Sequence, residues 1–330
     1  MTLSDCSLVV NNISRRFNCS QVVKDLSFSV NSGEVLGFLG PNGSGKTTTM
    51  RIITGFLMPD SGSVTICGYD IVKDSVSAKK HIGYLPEGVP LYGDMTPAML
   101  LKLCSDLLIS SKKIAKERYD YVVETLHLEN VLHQVIDSLS KGFKRRVGLA
   151  LAVLHDPDIL ILDEPTDGLD PLQKFEVRSL IRKIAKDKAI VLSTHIMDEV
   201  SQVCDRAMII SHGKLCAEGT TKTLHVMHHD HHVIVASFAS SSIDRVVKSI
   251  RLIPGIMDVL VHSQDSSGSQ TNESVFEIKV TSSSNDAYVA GKVGKCIIDD
   301  GSSLLSLTVQ QNDLEDVFRN IVLNSGNKQN

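Results

Sequence analysis

Gly40-Pro41-Asn42-Gly43-Ser44-Gly45-Lys46-Thr47 is the stretch that decides the fold. It spells G-x-x-x-x-G-K-[ST], the phosphate-binding loop pattern. Glycines let the backbone turn tightly enough for several N–H groups to point at one anion. Lys46 adds a point charge for β- and γ-phosphates, and the Thr47 hydroxyl is a ligand for Mg²⁺. A helix starting near Gly45 turns its positive end to the same phosphates. The flanks agree. Glu34 to Leu39 is a short apolar run of strand type, and Thr48 to Ile53 continues as a helix that ends at Gly55. Strand, loop, helix is the context this pattern requires.

The totals narrow what else the chain is. Its 330 residues suffice for about two domains. With 42% hydrophobic and 22% charged residues it reads as globular. A net charge of −4 gives no reason to expect nucleic acid as a partner. No run of about 18 apolar residues predicts a membrane span, and the start Met1-Thr2-Leu3-Ser4 lacks the regions of a signal peptide. The seven cysteines are scattered, odd in number and without a C-x-x-C pair, so reduced, buried thiols in a cytosolic protein are expected.

Leu8-Val9-Val10 reads as a first strand, Phe17 as a loop residue, and Leu26 to Val30 as an alternating strand. Turns are expected at Asn31-Ser32-Gly33 and Pro59 to Gly62, with strands at Ser63–Ile66 and Ile82–Leu85. From Met95 to Leu154 the period is helical. One helix begins at Thr96-Pro97, a second spans Lys112 to Leu126, and a third follows Ser140. This segment reads as a helical insertion, about 95–155. Ile159-Leu160-Ile161-Leu162 is wholly apolar, as a central parallel strand covered on both faces should be, and Ile190 to Ser193 is similar. Arg206–Ile210 and Lys214–Ala217, joined by Ser211-His212-Gly213, predict a hairpin, and this domain, 1–221, ends near Thr221.

A linker, 222–232, holds five histidines within residues 225–232. It reads either as a polar connection or as a transition-metal tract. Beyond it, over 233–323, short elements follow in the order β-α-β-β-α-β: Val233–Phe238, a helix on Ile243, Val246, Val247 and Ile250, Met257–Val261, Val275–Val280, Ala287–Cys296 and Leu304–Val309. That order predicts a small α+β, ferredoxin-like domain. A last helix gathers Leu314, Val317, Phe318, Ile321 and Val322 on one face, expected to pack on its own domain because no basic polar face accompanies it. The tail 324–330 reads as disordered.

Two further stretches carry chemistry. Asp163 and Glu164 follow the apolar strand directly. A carboxylate at that strand end is placed to hold Mg²⁺, and a second one residue on can polarise an attacking water. Leu139-Ser140-Lys141-Gly142-Phe143 sets a hydroxyl and a glycine at a helix start, another anion site, with Lys144, Arg145 and Arg146 behind it.

Together these motifs resemble the ATP-binding subunit of ABC transporters. Gly40 to Thr47 resembles the Walker A loop, and Ile159 to Glu164 the Walker B strand with its glutamate. Leu139 to Phe143 resembles the signature motif, usually LSGGQ. Gly168-Leu169-Asp170 resembles the D-loop, His195 the switch histidine, and Phe17, with Val23 nearby, the aromatic that stacks on adenine. The C-terminal part, with Leu314 to Phe318, resembles the extension of drug-resistance and gliding-motility ABC ATPases.

The resemblance implies an α/β fold, a P-loop ABC cassette with a mixed sheet core and a helical subdomain. It implies ATP and Mg²⁺ as cofactors, with Glu164 and His195 catalytic. Nucleotide contacts fall to Phe17, Val23, Gly40 through Thr48, Ser140, Gly142 and Asp170. Metal contacts fall to Thr47, Glu87 and Asp163. It implies an ATP-dependent head-to-tail homodimer in which Ser140 and Gly142 of one copy face the phosphate loop of the other. A separate membrane permease, driven for export, would hold the pair to the inner face of the cell membrane. A non-transport ABC ATPase and an ATP-switched regulatory module are the alternatives. Two positions depart from the family pattern. The signature carries Lys141 and Phe143 where glycine and glutamine are usual, and Tyr84-Leu85-Pro86-Glu87 resembles the Q-loop with glutamate in place of glutamine. Lys141 either adds positive charge beside the nucleotide or points to solvent, and solvent is the favoured reading.

Overall fold

Two strands, Ile159–Asp163 and Ala189–Thr194, are buried at every position, and the first unit is built outward from them. The structure, a computed structural model, describes residues 6–18, 20–220, 223, 232–240, 243–264, 274–282 and 286–310. They fall into two units, one running to Thr221 and one over Lys222–Asn320.

The strands of the first unit are β1 (Cys6–Phe17), β2 (Ser20–Asn31), β3 (Val35–Leu39), β4 (Ser61–Ile66), β5 (Tyr69–Asp70), β6 (Ile82–Leu85), β7 (Ile159–Asp163), β8 (Ala189–Thr194), β9 (Arg206–Ser211) and β10 (Lys214–Thr220). Six form a sheet in the order β10-β9-β3-β8-β7-β6. The pairings from β9 to β6 are parallel, and only β10 runs against its neighbour. Parallel strands need cover on both faces, which is why β3, β7 and β8 show no polar alternation in their interiors. The other four form an antiparallel sheet, β2-β1-β4-β5. Leu8, Val10 and Phe28 from this sheet share one core with Phe38, Ile161 and Val191 of the other. Phe28 and Phe38 meet at 5.6 Å between ring centroids. Each such side chain contributes about 1.5–3 kcal/mol by leaving water.

Helix α1 (Lys46–Ile53) follows β3, and the short α2 (Ser75–Lys80) precedes β6. The helical segment comprises α3 (Pro97–Leu108), α4 (Lys112–Thr125) and α5 (Lys141–Val153). Their starts are written in the sequence: Thr96, Ser111 and Ser140 each accept a backbone N–H of their own first turn. Gly148 lets α5 lie close to β6, since a Cβ there would sit 2.7 Å from Leu85. After β7 comes α6 (Pro171–Ile184), and after β8 comes α7 (Met197–Val203).

Several expectations change. Phe17 is not in a loop but is the last residue of β1, paired with Ser20. The turn expected through Gly62 is partly strand, because Ser61 pairs with Ser14. The cysteines are not uniformly buried. Cys204 is, whereas Cys67, Cys104, Cys216 and Cys296 are half-buried, all as free thiols.

The second unit contains β11 (His232–Ser240), α8 (Ile243–Arg251), β12 (Ile256–Gln264), β13 (Ser274–Ser282), α9 (Asp286–Asp299) and β14 (Ser303–Gln310). Its antiparallel sheet has the order β12-β13-β11-β14, so β13 sits between β11 and β12 and splits the first βαβ. Ile234, Ala236 and Phe238 of β11 share a core with Val246 and Ile250 of α8 and Val289, Val293 and Ile297 of α9. The histidines of 225–231, the last helix expected on Leu314 to Val322 and the tail 324–330 lie outside the described residues.

Candidate nucleotide site

The loop after β3 turns through two left-handed glycines, Gly43 at φ +79° and Gly45 at φ +105°. Gly45 is doubly constrained, since a Cβ there would also sit 2.6 Å from the Val22 carbonyl. It is the N-cap of α1. No side chain caps that helix and no acid lies in its first turn, so its own residues leave its positive end open. Lys46 is only 6% exposed. Its Nζ donates to the Gly40 carbonyl at 2.7 Å and to the Pro41 carbonyl at 3.4 Å, and it pairs with Glu164 Oε1 at 3.4 Å.

The end of β7 supplies the carboxylates. Asp163 is fully buried. One oxygen accepts from Ser193 Oγ and the other has no partner. Ser44 Oγ, in the loop, is also buried without a partner. Buried oxygens are rarely left so, and a hard cation with a phosphate ligand would satisfy both. Glu164 has a left-handed backbone, φ +47°, a strain of about 1–3 kcal/mol for a residue with a side chain. The strain is held by its N–H, which donates to Ser193 O at 3.2 Å and Ser193 Oγ at 3.1 Å. Its Oε2 lies 2.9 Å from His195 Nδ1. Burial pushes the Glu164 carboxyl above its ordinary value, against the opposing pull of His195 and then Lys46.

Lys46, Glu164 and His195 line one cleft of about 310 Å³, whereas the fully buried Asp163 lies outside its lining. Asn42, Gly43, Gly45, Lys46, Thr47 and Thr48 form one side, and Glu87, Glu164 and His195 also face it. Of the remaining loop residues, Gly40 and Ser44 are buried and Pro41 is half-buried.

Val23 is not in the cleft. It is buried in the core at 1% exposure, and Val22 lines the cleft instead. Strict alternation from Leu26, Phe28 and Val30 turns Val23 outward. A bulge between Leu26 and Val23, with Asp25 at φ +46°, adds one residue and reverses the faces. Phe17 does not line the cleft either; it is 43% exposed, with the Arg15 guanidinium 5.1 Å from its ring centroid. Ser140, Gly142 and Asp170 also lie outside the cleft. Ser140 caps α5 and Asp170 caps α6, accepting from Gln173 N at 2.9 Å. Lys141 is exposed, as expected.

Three groups were not anticipated. Asp167 lines the cleft. Arg145, buried in α5, donates to the carbonyls of Pro86 (3.3 Å), Glu87 (2.9 Å) and Glu164 (2.9 Å). It therefore ties the signature-like helix to both carboxylate-bearing loops. Glu199, 2% exposed, accepts from Thr166 and Thr194 and pairs with Arg178 and Lys174, fixing the segment that carries His195. Only the Arg-rich run after Gly142 hinted at any of these.

A family profile described as ABC transporter matches residues 23–167. The linearmycin resistance ATP-binding protein LnrL of Bacillus subtilis is 31% identical over 315 residues, covering 95% of this chain and 97% of the relative. The chain belongs to the ABC transporter ATP-binding protein family. The Nod factor export ATP-binding protein I of Burkholderia orbicola is 38% identical over 214 residues, 64% of this chain and 70% of the relative. A solved ATP-binding subunit of an ABC transporter superposes with a TM-score of 0.62 at 30% identity, covering 67% of this chain and 93% of that one. The ABC cassette is thus an ATP-binding ATPase module of the transport type, as its motifs implied. Among the described residues no helix is long and apolar enough to cross a membrane.

Proposed function

We propose that this ABC ATPase works as a head-to-tail pair of copies that hydrolyse ATP with Mg²⁺ and drive export through a separate permease. The observation that carries the proposal is Glu164, held between Lys46 and His195 in the phosphate-loop cleft. Lys46 and the uncapped start of α1 bind the phosphates. Thr47, Asp163 through its unpartnered oxygen, and Glu87 would hold Mg²⁺. Such an ion would supply positive charge to offset that of the phosphates. Glu164 takes the proton of the attacking water, a task its raised pKa suits. His195 orients that carboxylate and reaches toward the γ-phosphate. Ser140 and Gly142 lie outside their own cleft, which supports their completing the partner copy's site, with Asp170 between the two.

Export is supported by the names of the resistance and Nod factor relatives and by the likeness over almost the whole length of LnrL. The permease holds the pair at the inner membrane face, and the C-terminal unit serves dimer or partner contact.

The test is Glu164→Gln. It should bind ATP normally, release almost no phosphate and accumulate as an ATP-dependent dimer in light scattering. Unchanged phosphate release would remove Glu164 from its role.

A further inference from the structure

The nucleotide cleft uses the C-terminal ends of β3, β7 and β8. A second cluster of metal-binding side chains lies at the opposite, N-terminal ends of β6 and β7. His81 immediately precedes β6 and Asp158 immediately precedes β7, and these strands pair in parallel from Ile82 with Ile159 onward. The backbone therefore sets the two residues side by side. Ile159 N donates to His81 O at 2.9 Å, and Ala189 N donates to Asp158 O at 3.0 Å. Their side chains meet, with His81 Nδ1 2.5 Å from Asp158 Oδ2.

The third member comes from the other sheet. Cys67 and Gly68 form the two-residue turn between β4 and β5, both with positive φ, +47° and +87°. That is the hairpin turn which matches strand twist, but the first position rarely holds a cysteine, because a Cβ disfavours it. Cys67 N donates to Ser7 O at 2.8 Å, which pins the turn to β1. The thiol sulfur, a ring nitrogen of His81 and a carboxylate oxygen of Asp158 all lie within 4.8 Å of one another. Tyr69, just past the turn, stacks on the His81 ring at 5.6 Å and 14°, limiting its orientation.

We infer that Cys67, His81 and Asp158 form a binding site for a divalent transition metal of the zinc class, clamping the β4–β5 hairpin to the N-terminal edge of the parallel sheet. The donor set is one sulfur, one nitrogen and one oxygen, each a known zinc ligand, with the fourth tetrahedral position left to water. Cys67 and His81 are half-buried and Asp158 is exposed, so a hydrated ion has a way in. Burial and the charge of Asp158 push the Cys67 thiol up to about 11. Without a cation the sulfur therefore keeps its proton, and metal binding releases that proton to solvent.

Cobalt(II) titration of the full chain tests the site by absorption spectroscopy. One equivalent should produce tetrahedral ligand-field bands and a thiolate-to-cobalt charge-transfer band, both discharged by Zn²⁺. Cys67→Ser should lose the charge-transfer band, and His81→Gln and Asp158→Asn should weaken binding. Zn²⁺ should raise the melting temperature of the native chain but not of these variants. Replacing the five histidines of 225–232 by asparagine should leave the band intact, because only a thiol ligand gives it. A silent titration, a band that survives Cys67→Ser, or a band lost with the five histidines overturns the inference.

Discussion

The chain contains two helix starts that read as anion sites, and the structure equips them differently. At α1 the cap is a left-handed glycine, no side chain caps the first turn, and a lysine and three carboxylates line the opening. At α5 the cap is Ser140, already engaged by Phe143 N, and the start lines no part of the cleft. A Cβ on Gly142 would meet Gln173 at 2.9 Å, so that helix start is packed closely on α6. The α1 start is open toward the cleft. The α5 start is a structural cap, which under the proposed head-to-tail pairing would meet the nucleotide of the partner copy.

The strongest way to break this contrast is Lys46→Ala. It removes the charge at the α1 site and should abolish nucleotide binding in calorimetry, whereas substitutions at the α5 start should leave binding to the isolated chain intact. Glu164→Gln should sharpen it by separating binding from chemistry. Turnover should fall by about 10²–10⁴, the usual worth of a general base, with affinity preserved.

Arg145 ties α5 to the two loops that carry Glu87 and Glu164. Arg145→Met would remove the guanidinium donor from the carbonyls of Pro86, Glu87 and Glu164, of which Glu164 O keeps Asp167 N at 3.1 Å; each buried carbonyl left without a partner costs about 1–3 kcal/mol. Chemical denaturation should show a loss of about 2–4 kcal/mol, and turnover should fall with it. Ser140→Ala should cost only about 1 kcal/mol as a lost cap, yet lower ATPase activity far more than that stability change explains.

The smallest expected effect is a shift in pH dependence. Glu164 must be ionised to accept a proton, so activity falls as pH drops through its folded pKa. Because burial raises that pKa, the acid limb of kcat/KM should lie above the ordinary glutamate value of 4.5. His195 lowers it, so His195→Ala should move the limb to higher pH. A limb that moves down, or stays, would contradict the pairing.

Much of this contrast was legible in the sequence, because the loop, its lysine and the acid pair are local. The apolar strand ending in Asp163-Glu164 and the cap at Ser140 are likewise read from a few adjacent residues. What escaped is non-local or bulge-dependent. Val22 replaces Val23 because a single bulge at Asp25 reverses the faces of β2. Arg145 reaches carbonyls 58, 59 and 19 residues away, a convergence no spacing predicts. Helix α6 is announced by Asp170 as cap and Pro171 at its first position, a signal masked by the likeness of Gly168-Leu169-Asp170 to a D-loop. Helix α7, seven residues long, is too short to show a period.

The head-to-tail pairing requires Ser140 to act on the nucleotide of another copy. Mixing Lys46→Ala with Ser140→Ala tests it directly by ATPase assay. In a head-to-tail pair of one of each, one site carries both defects and the other is intact. Each variant alone should be nearly inactive, and the equimolar mixture should recover activity. A mixture as inactive as its components would contradict a site shared between copies.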